Sequence, residues 1–302
     1  MFIQRTVQEV LWGYEEPLVV GATMVLPEGE IKVPGHFGLL AGRNMSSEGK
    51  YTVWGGGGPK GLEDLGRVTK WQGQDRFYSW NTDECNRVRG GEGSQFPPGL
   101  QDSSKPSIFV PAICRPIELS FVQKQQVQGV ETLKFIPDPD VFNYAALHNR
   151  CYCVPPANCS DTGVFYVSPC KFGAPLVVSW PHFLDAPYHE QMISGLNPNE
   201  EDHRYTKCTF NAFQLFQRFH ILIQPVMGMG LSASVRLQLN LDIMRVDNLS
   251  PFDKLPVPRL LLPVIWFEDT IENPPESLLI LLRDALSLPH KVGVGAALLC
   301  LG

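Results

Sequence analysis

Hydrophobic and polar positions alternate most strictly over Val235-Arg236-Leu237-Gln238-Leu239-Asn240-Leu241-Asp242-Ile243. Period-two alternation puts successive side chains on opposite faces of a strand. One face is therefore aliphatic and the other carries Arg, Gln, Asn and Asp. The aliphatic face is expected to pack against something that excludes water, either a protein core or the wall of a lipid passage. Ile117-Glu118-Leu119-Ser120-Phe121 repeats the pattern over a shorter run, and Leu176-Val177-Val178-Ser179-Trp180 predicts a short apolar strand entering the Pro181-His182-Phe183-Leu184 turn. Leu261-Leu262-Pro263-Val264-Ile265-Trp266-Phe267 predicts a buried strand that its proline confines to an edge or a bulge.

Helical spacing is confined to the ends. Thr6-x-x-Glu9 is a capping box. Val7, Val10, Leu11 and Tyr14 follow at i, i+3, i+4, i+7 and predict a packing helix stopped by Pro17. Ser277 to Leu288 predicts a second helix, ended by Pro289. Its Arg283 and Asp284 argue against a membrane span. Between these ends, short apolar runs are cut by glycine. Gly55-Gly56-Gly57-Gly58-Pro59-Lys60-Gly61 has neither the spacing nor the Ser/Thr of a phosphate loop and predicts a hairpin connection. Trp71 and Trp80 flank the Gly73 turn and are expected on neighbouring strands.

Composition agrees with a mainly β fold. The 302 residues include 27 Gly and 26 Pro, 44% are hydrophobic and 19% charged. A net charge of −6, with no Lys/Arg stripe, excludes a nucleic-acid footprint. The loop Gly195 to His203 lacks the calcium-loop pattern and predicts a solvated turn. No G-x-S-x-G, H-E-x-x-H or dinucleotide glycine fingerprint occurs, so neither an enzyme nor a cofactor is predicted.

Six of the eight cysteines, Cys85, Cys114, Cys151, Cys153, Cys159 and Cys170, fall within one stretch. Three sequons accompany them, at Asn44, Asn158 and Asn248. Together they predict an oxidising compartment and a disulfide framework over 85–170, with the connectivity left open. Zinc, with His148 as a fourth ligand, is the rival reading, and the spacings lack the paired C-x₂-C knuckles of structural zinc sites. The seven histidines are scattered singly and predict no site. No basic n-region and apolar h-region opens the chain. The apolar run Val292 to Gly302 is too short to span a bilayer. The chain is thus expected to be a fragment, with a partial ectodomain over 1–288 and the start of a membrane anchor over 289–302.

The segments Arg5 to Pro17, Phe37 to Val53, Trp71 to Cys85, Phe96-Pro97-Pro98, Cys114-Arg115, Cys151 to Cys170 and Gly173-Ala174-Pro175 stand in a characteristic order. Pro181-His182-Phe183, Gly195 to His203, Arg236-Leu237-Gln238 and Leu262-Pro263-Val264-Ile265-Trp266 continue it. In these the chain resembles the class B scavenger receptor family. The resemblance implies an irregular antiparallel β-barrel ectodomain crossed by an apolar tunnel, with membrane anchors at the chain ends and an apex bundle upstream of Met1. It implies the pairs Cys85–Cys151, Cys114–Cys170 and Cys153–Cys159. It also implies a plasma-membrane receptor that takes lipids or lipoproteins as partners and passes lipid to the bilayer without hydrolysis. Leu237, Leu239, Leu241 and Ile243 become the candidate tunnel wall. The alternatives are a lysosomal sorting receptor of the same family and a secreted disulfide-rich adhesion module.

Two departures stand out. Where the resemblance implies an Asn-Gly-Thr sequon after Cys85, the chain has Asn86-Arg87-Val88-Arg89-Gly90-Gly91-Glu92 and no sequon. An aromatic-rich stretch at 207–220 with Cys208 is an apparent insertion, explicable by a retained intron, and is expected to disturb the strand after it.

Overall fold

The computed structural model describes residues 4–15, 36–38, 49–57, 61–198, 206–207, 216–217, 219–250, 252–271 and 274–287. Asn44, Cys208, most of the 195–203 loop's acidic half and the 289–302 segment lie outside them. The chain divides into two units, residues 1–50 and 51–302.

In the first unit the capping box forms. Thr6 Oγ1 accepts from the Glu9 amide at 3.2 Å, and Glu9 Oε2 accepts from the Thr6 amide at 2.8 Å. Helix α1 spans Val7–Trp12 and ends at Gly13, whose φ of 116° leaves the helical region. The expected turn through Tyr14 is therefore missing, and Tyr14–Glu15 is strand β1, antiparallel to β2 (His36–Phe37). The expected packing helix buries no residue, and Val7 is 73% exposed.

The second unit begins with a hairpin of β3 (Tyr51–Val53) and β4 (Val68–Trp71). The glycine-rich stretch 55–57 lies in its connection, as expected. Trp71 closes β4 and packs on Tyr51, with ring centroids 4.7 Å apart. Trp80 is on no strand, contrary to expectation. Asn86 Oδ1 accepts from the amides of Ser79 (3.0 Å) and Trp80 (2.9 Å), so a side chain replaces the ladder partner and turns the indole inward. Asn86 ends the short helix α2 (Asp83–Asn86).

The remaining strands form one curled antiparallel sheet, half of a barrel: β5 (Ser107–Val110), β6 (Arg115–Val127), β7 (Val130–Pro137), β8 (Val164–Tyr166) and β9 (Leu176–Ser179). The short helix α3 (Pro187–Gln191) follows, then the two-residue strands β10 (Thr206–Lys207) and β11 (Phe216–Gln217), which pair with each other. Strands β12 (His220–Gln224), β13 (Met229–Met244) and β14 (Arg259–Ile271) complete the sheet, and a helix α4 covers 276–287. The order is β5-β6-β7-β12-β13-β9-β8, with β14 also on β13. Strand β12 pairs with both β7 and β13, so the stretch before it does not disturb it as expected.

Local sequence explains the turns. Gln128 and Gly129 both have positive φ, the two-residue turn that matches the twist of β6 and β7. Register shifts in β6, β12 and β13 are bulges, which bend strands and curl the sheet. Strand β13 is the spine: β12 and then β9 lie along one edge and β14 along the other.

The main core gathers Trp80, Tyr144, Tyr152, Phe142 and Phe165 with Ile117, Leu119, Phe135 and Ile223. Phe165 is its hub, with Trp80 at 5.6 Å, Tyr152 at 6.0 Å and Tyr144 at 6.1 Å. Burying one such ring stabilises the fold by about 2–3 kcal/mol. Leu279 and Leu282 of α4 bury against Val130 and Leu231, as a helix of amphipathic spacing does. Among the described residues no helix is long and apolar enough to cross a membrane.

Candidate functional site

Three disulfides close around the aromatic core: Cys85–Cys151, Cys114–Cys170 and Cys153–Cys159. Backbone bonds reinforce the frame. Asn81 donates from its amide to Cys151 O (3.1 Å) and from Nδ2 to Cys153 O (2.7 Å). Trp80 Nε1 donates to Cys114 O at 3.0 Å. Among the described residues no three His, Cys, Asp or Glu side chains converge as a metal site. His148 Nε2 lies instead 3.6 Å from Asp140 Oδ2, half in solvent.

Beyond Cys170 the chain enters β9, which pairs with Gln238 to Leu241 of β13. Directly opposed residues of an antiparallel pair share a face. Leu237, Leu239, Leu241 and Ile243 therefore lie beside Phe267, Ile265, Leu262 and Leu260 of β14, a two-strand aliphatic band. Leu237 is buried in the main core at 5% exposure and Leu239 packs against that core. Leu241 and Ile243 are half-buried, while Leu262 and Phe267 are exposed. Strand β14 is an edge among the described residues, with Pro263 opposite Asn240 at a bulge, where a missing N–H is tolerated. It is not the buried strand expected: only Leu261 is fully covered.

The polar face of β13 is buried too, beside an aliphatic face whose Val235, Leu237 and Leu239 pack in or against the main core as expected. Gln238, Asn240 and Asp242 are more deeply buried than most of the aliphatic face. Buried amides need partners, and β9 supplies them. Asn240 Nδ2 donates to Ser179 Oγ (3.0 Å) and Val177 O (3.2 Å), and Gln238 Nε2 donates to Asn240 Oδ1 (2.8 Å). Gln238 Oε1 accepts from the His182 amide at 2.8 Å, which fixes the turn after β9. Farther along, Arg259 Nε donates to Asp242 Oδ1 at 2.7 Å and Nη2 to Oδ2 at 2.5 Å. Nη2 also reaches Pro156 O at 2.8 Å. This bidentate bond raises the Arg259 pKa.

Next to that pair, Tyr166 Oη donates to Asp161 Oδ2 at 2.7 Å, and His189 Nε2 stands 3.5 Å from the same oxygen. Burial works to raise the Asp161 pKa, but His189 and Tyr166 outweigh it and hold the carboxyl below its ordinary range. Burial, and for Tyr166 the Asp161 carboxylate, push the phenols of Tyr144 and Tyr166 upward.

Of the sequons, Asn158 is exposed in the Cys153–Cys159 loop, its Nδ2 donating to Asp161 Oδ1 at 2.6 Å. Asn248 is exposed in the β13–β14 connection at a φ of 61°. Sequence reasoning missed Arg115, a guanidinium inside the aromatic core, and the Asp161–Tyr166–His189 group. No spacing rule marks residues that meet only through the fold. Asp242 was visible as a polar position, but not as a buried one.

The sequence matches the CD36 family over residues 1–302. The chain belongs to the CD36 family. It is 32% identical over 275 residues to scavenger receptor class B member 1 of Mus musculus, covering 89% of this chain and 49% of that protein. It is 29% identical over 251 residues to lysosome membrane protein 2 of Homo sapiens, covering 82% of this chain and 48% of that protein. The CD36-family chain thus spans about half the length of these relatives.

Proposed function

We propose that this chain is part of the ectodomain of a class B scavenger receptor, a cell-surface glycoprotein that binds lipids or lipoproteins and passes apolar molecules to the membrane. One observation supports this most directly. Leu237, Leu239, Leu241 and Ile243 align with Leu260, Leu262, Ile265 and Phe267 in a continuous aliphatic band, part of which faces away from the core. Each methylene leaving water is worth about 0.8 kcal/mol, so a sixteen-carbon chain opposes exposure by roughly 12 kcal/mol. An apolar band removes much of that cost along a path. The three disulfides and three sequons fit a chain whose folded part lies outside the cytosol.

The test is lipid extraction and mass spectrometry of the purified full-length protein, with Leu241→Arg and Ile243→Arg beside it. Co-purifying lipid that both variants lose supports the reading. Lipid-free protein overturns it in favour of a disulfide-rich adhesion module. The similarity to lysosome membrane protein 2 favours one second reading, a lysosomal sorting receptor. Location of the tagged full-length protein in lysosomes rather than at the cell surface decides for it.

A further inference from the structure

A second feature of the fold does not rest on the lipid reading. Between the β3–β4 hairpin, the 89–97 segment and the approach to β5, the surface opens into a cleft of about 500 Å³. That size suits a small organic ligand. Gly66, Gly90 and Gly91 are part of its lining, where backbone segments approach closely. A Cβ on Gly66 would stand 2.2 Å from Gln95 O, and one on Gly90 would stand 2.9 Å from the Phe109 nitrogen. Both residues also have positive φ, so larger residues are excluded twice over. These segments are tied together: Val68 donates to Gly90 O at 2.7 Å and Gly91 to Ser107 O at 2.7 Å.

The ionisable lining of the cleft is Arg67, Arg89, Lys105 and Asp64, a formal balance of three cations to one carboxylate on a chain of net charge −6. Each cation has a carboxylate neighbour. Arg67 is 3.4 Å from Asp64, Lys105 is 3.4 Å from Asp138, and Arg89 contacts Glu84. All three cationic side chains are at least a third exposed, and such surface pairs are worth about 0–1 kcal/mol. An incoming oxyanion held by several of them at once displaces such contacts readily, and arginine forks match oxyanion geometry. Behind the cations the wall turns apolar, through Phe96, Pro97 and Leu100.

We propose that this cleft binds an organic oxyanion with a short apolar body, its head on Arg67, Arg89 and Lys105 and its body against Phe96, Pro97 and Leu100. The shared chemistry is the oxyanion head, whether from a lipid or from a soluble phosphate ester.

Calorimetric titration of the full-length chain with hexyl phosphate, beside inorganic phosphate, tests it. Saturable hexyl phosphate binding is expected, weakened about tenfold or more by Arg67→Gln or Arg89→Gln, and abolished by Lys105→Glu. Lys105 is 62% exposed but faces Asp138, so the charge reversal is paired with Lys105→Gln, which weakens binding while keeping its melting temperature. Lys124→Gln, outside the cleft, leaves binding unchanged. Absence of saturation, or affinity indifferent to Lys105→Glu, overturns the site. Inorganic phosphate binding as tightly as hexyl phosphate overturns the role of the apolar wall. Full-length protein that carries no co-purified lipid but still binds hexyl phosphate removes the receptor reading and leaves this site standing.

Discussion

The guanidinium of Arg115 lies 4.0 Å from the centroid of the Tyr152 ring, inside the core. It joins two disulfide-bearing segments, since Arg115 follows Cys114 and Tyr152 sits between Cys151 and Cys153. Its Nη2 donates to Asn149 Oδ1 at 2.7 Å and its Nη1 to Val141 O at 3.3 Å. Burial lowers its pKa while the neighbouring tyrosines oppose that shift. A buried charge is tolerated only with such partners. Arg115→Ala is therefore expected to cost about 3 kcal/mol by leaving a cavity and an unsatisfied Asn149. Arg115→Lys is expected to recover little, because an ammonium cannot both stack and fork. Urea unfolding of the three proteins measures this.

Reduction is expected to lower the melting temperature sharply. Chain-entropy estimates give about 4 kcal/mol for each long loop and about 2.4 for the Cys153–Cys159 loop. Replacing Cys153 and Cys159 by Ser should therefore be milder than replacing Cys85 and Cys151. Calorimetric scans of each paired variant establish the order. Equal melting of reduced and oxidised protein contradicts it.

Acid and alkali are expected to act through different residues. The Asp161 carboxyl is held below its ordinary value of 3.8, so its contribution is present above that pH and is lost as pH falls through the folded value. Asp161→Asn should flatten the acid limb of the stability curve. The Tyr144 and Tyr166 phenols are raised from 10.0, so their contribution is present below that pH and is lost as pH rises past it. Tyr166→Phe should flatten part of the alkaline limb. Chemical unfolding across the pH range separates the two.

Asn240→Leu is expected to destabilise by about 2–3 kcal/mol, since it removes three buried hydrogen bonds, to Gln238, Ser179 and Val177 O, and forces a branched chain into a filled site. Leu241→Asn, on the half-buried aliphatic side, should cost less than half as much. Denaturant midpoints compare them, and the reverse order would mean that packing around Leu241 outweighs the buried amide network of Gln238 and Asn240.

That contrast shows what was legible in the sequence. Alternation over 235–243 revealed the strand and its two faces. It did not reveal that the polar face is buried as well, because its cover depends on Ser179 and Val177, contributed by β9 some sixty residues earlier. The capping box of Thr6 and Glu9 was readable because all its partners lie within four residues. Trp80 was not, since its placement depends on a side-chain amide standing in for a strand neighbour. The cleft at Arg67, Arg89 and Lys105 carried no signal: its cations are separated along the chain and meet only across glycine backbones.

Residues Gln238 to Leu241 are laddered on both edges at once, to β9 and to β14. Each main-chain N–H here bonds one flank only, and the flank alternates from residue to residue. Departure of the edge strand β14 therefore frees alternate protons, while those bonded to β9 stay in place, because β8 covers β9 on its far side. Deuterium should enter this stretch in two interleaved sets, the fast set reporting the fraying of β14 and the slow set the opening of the sheet interior.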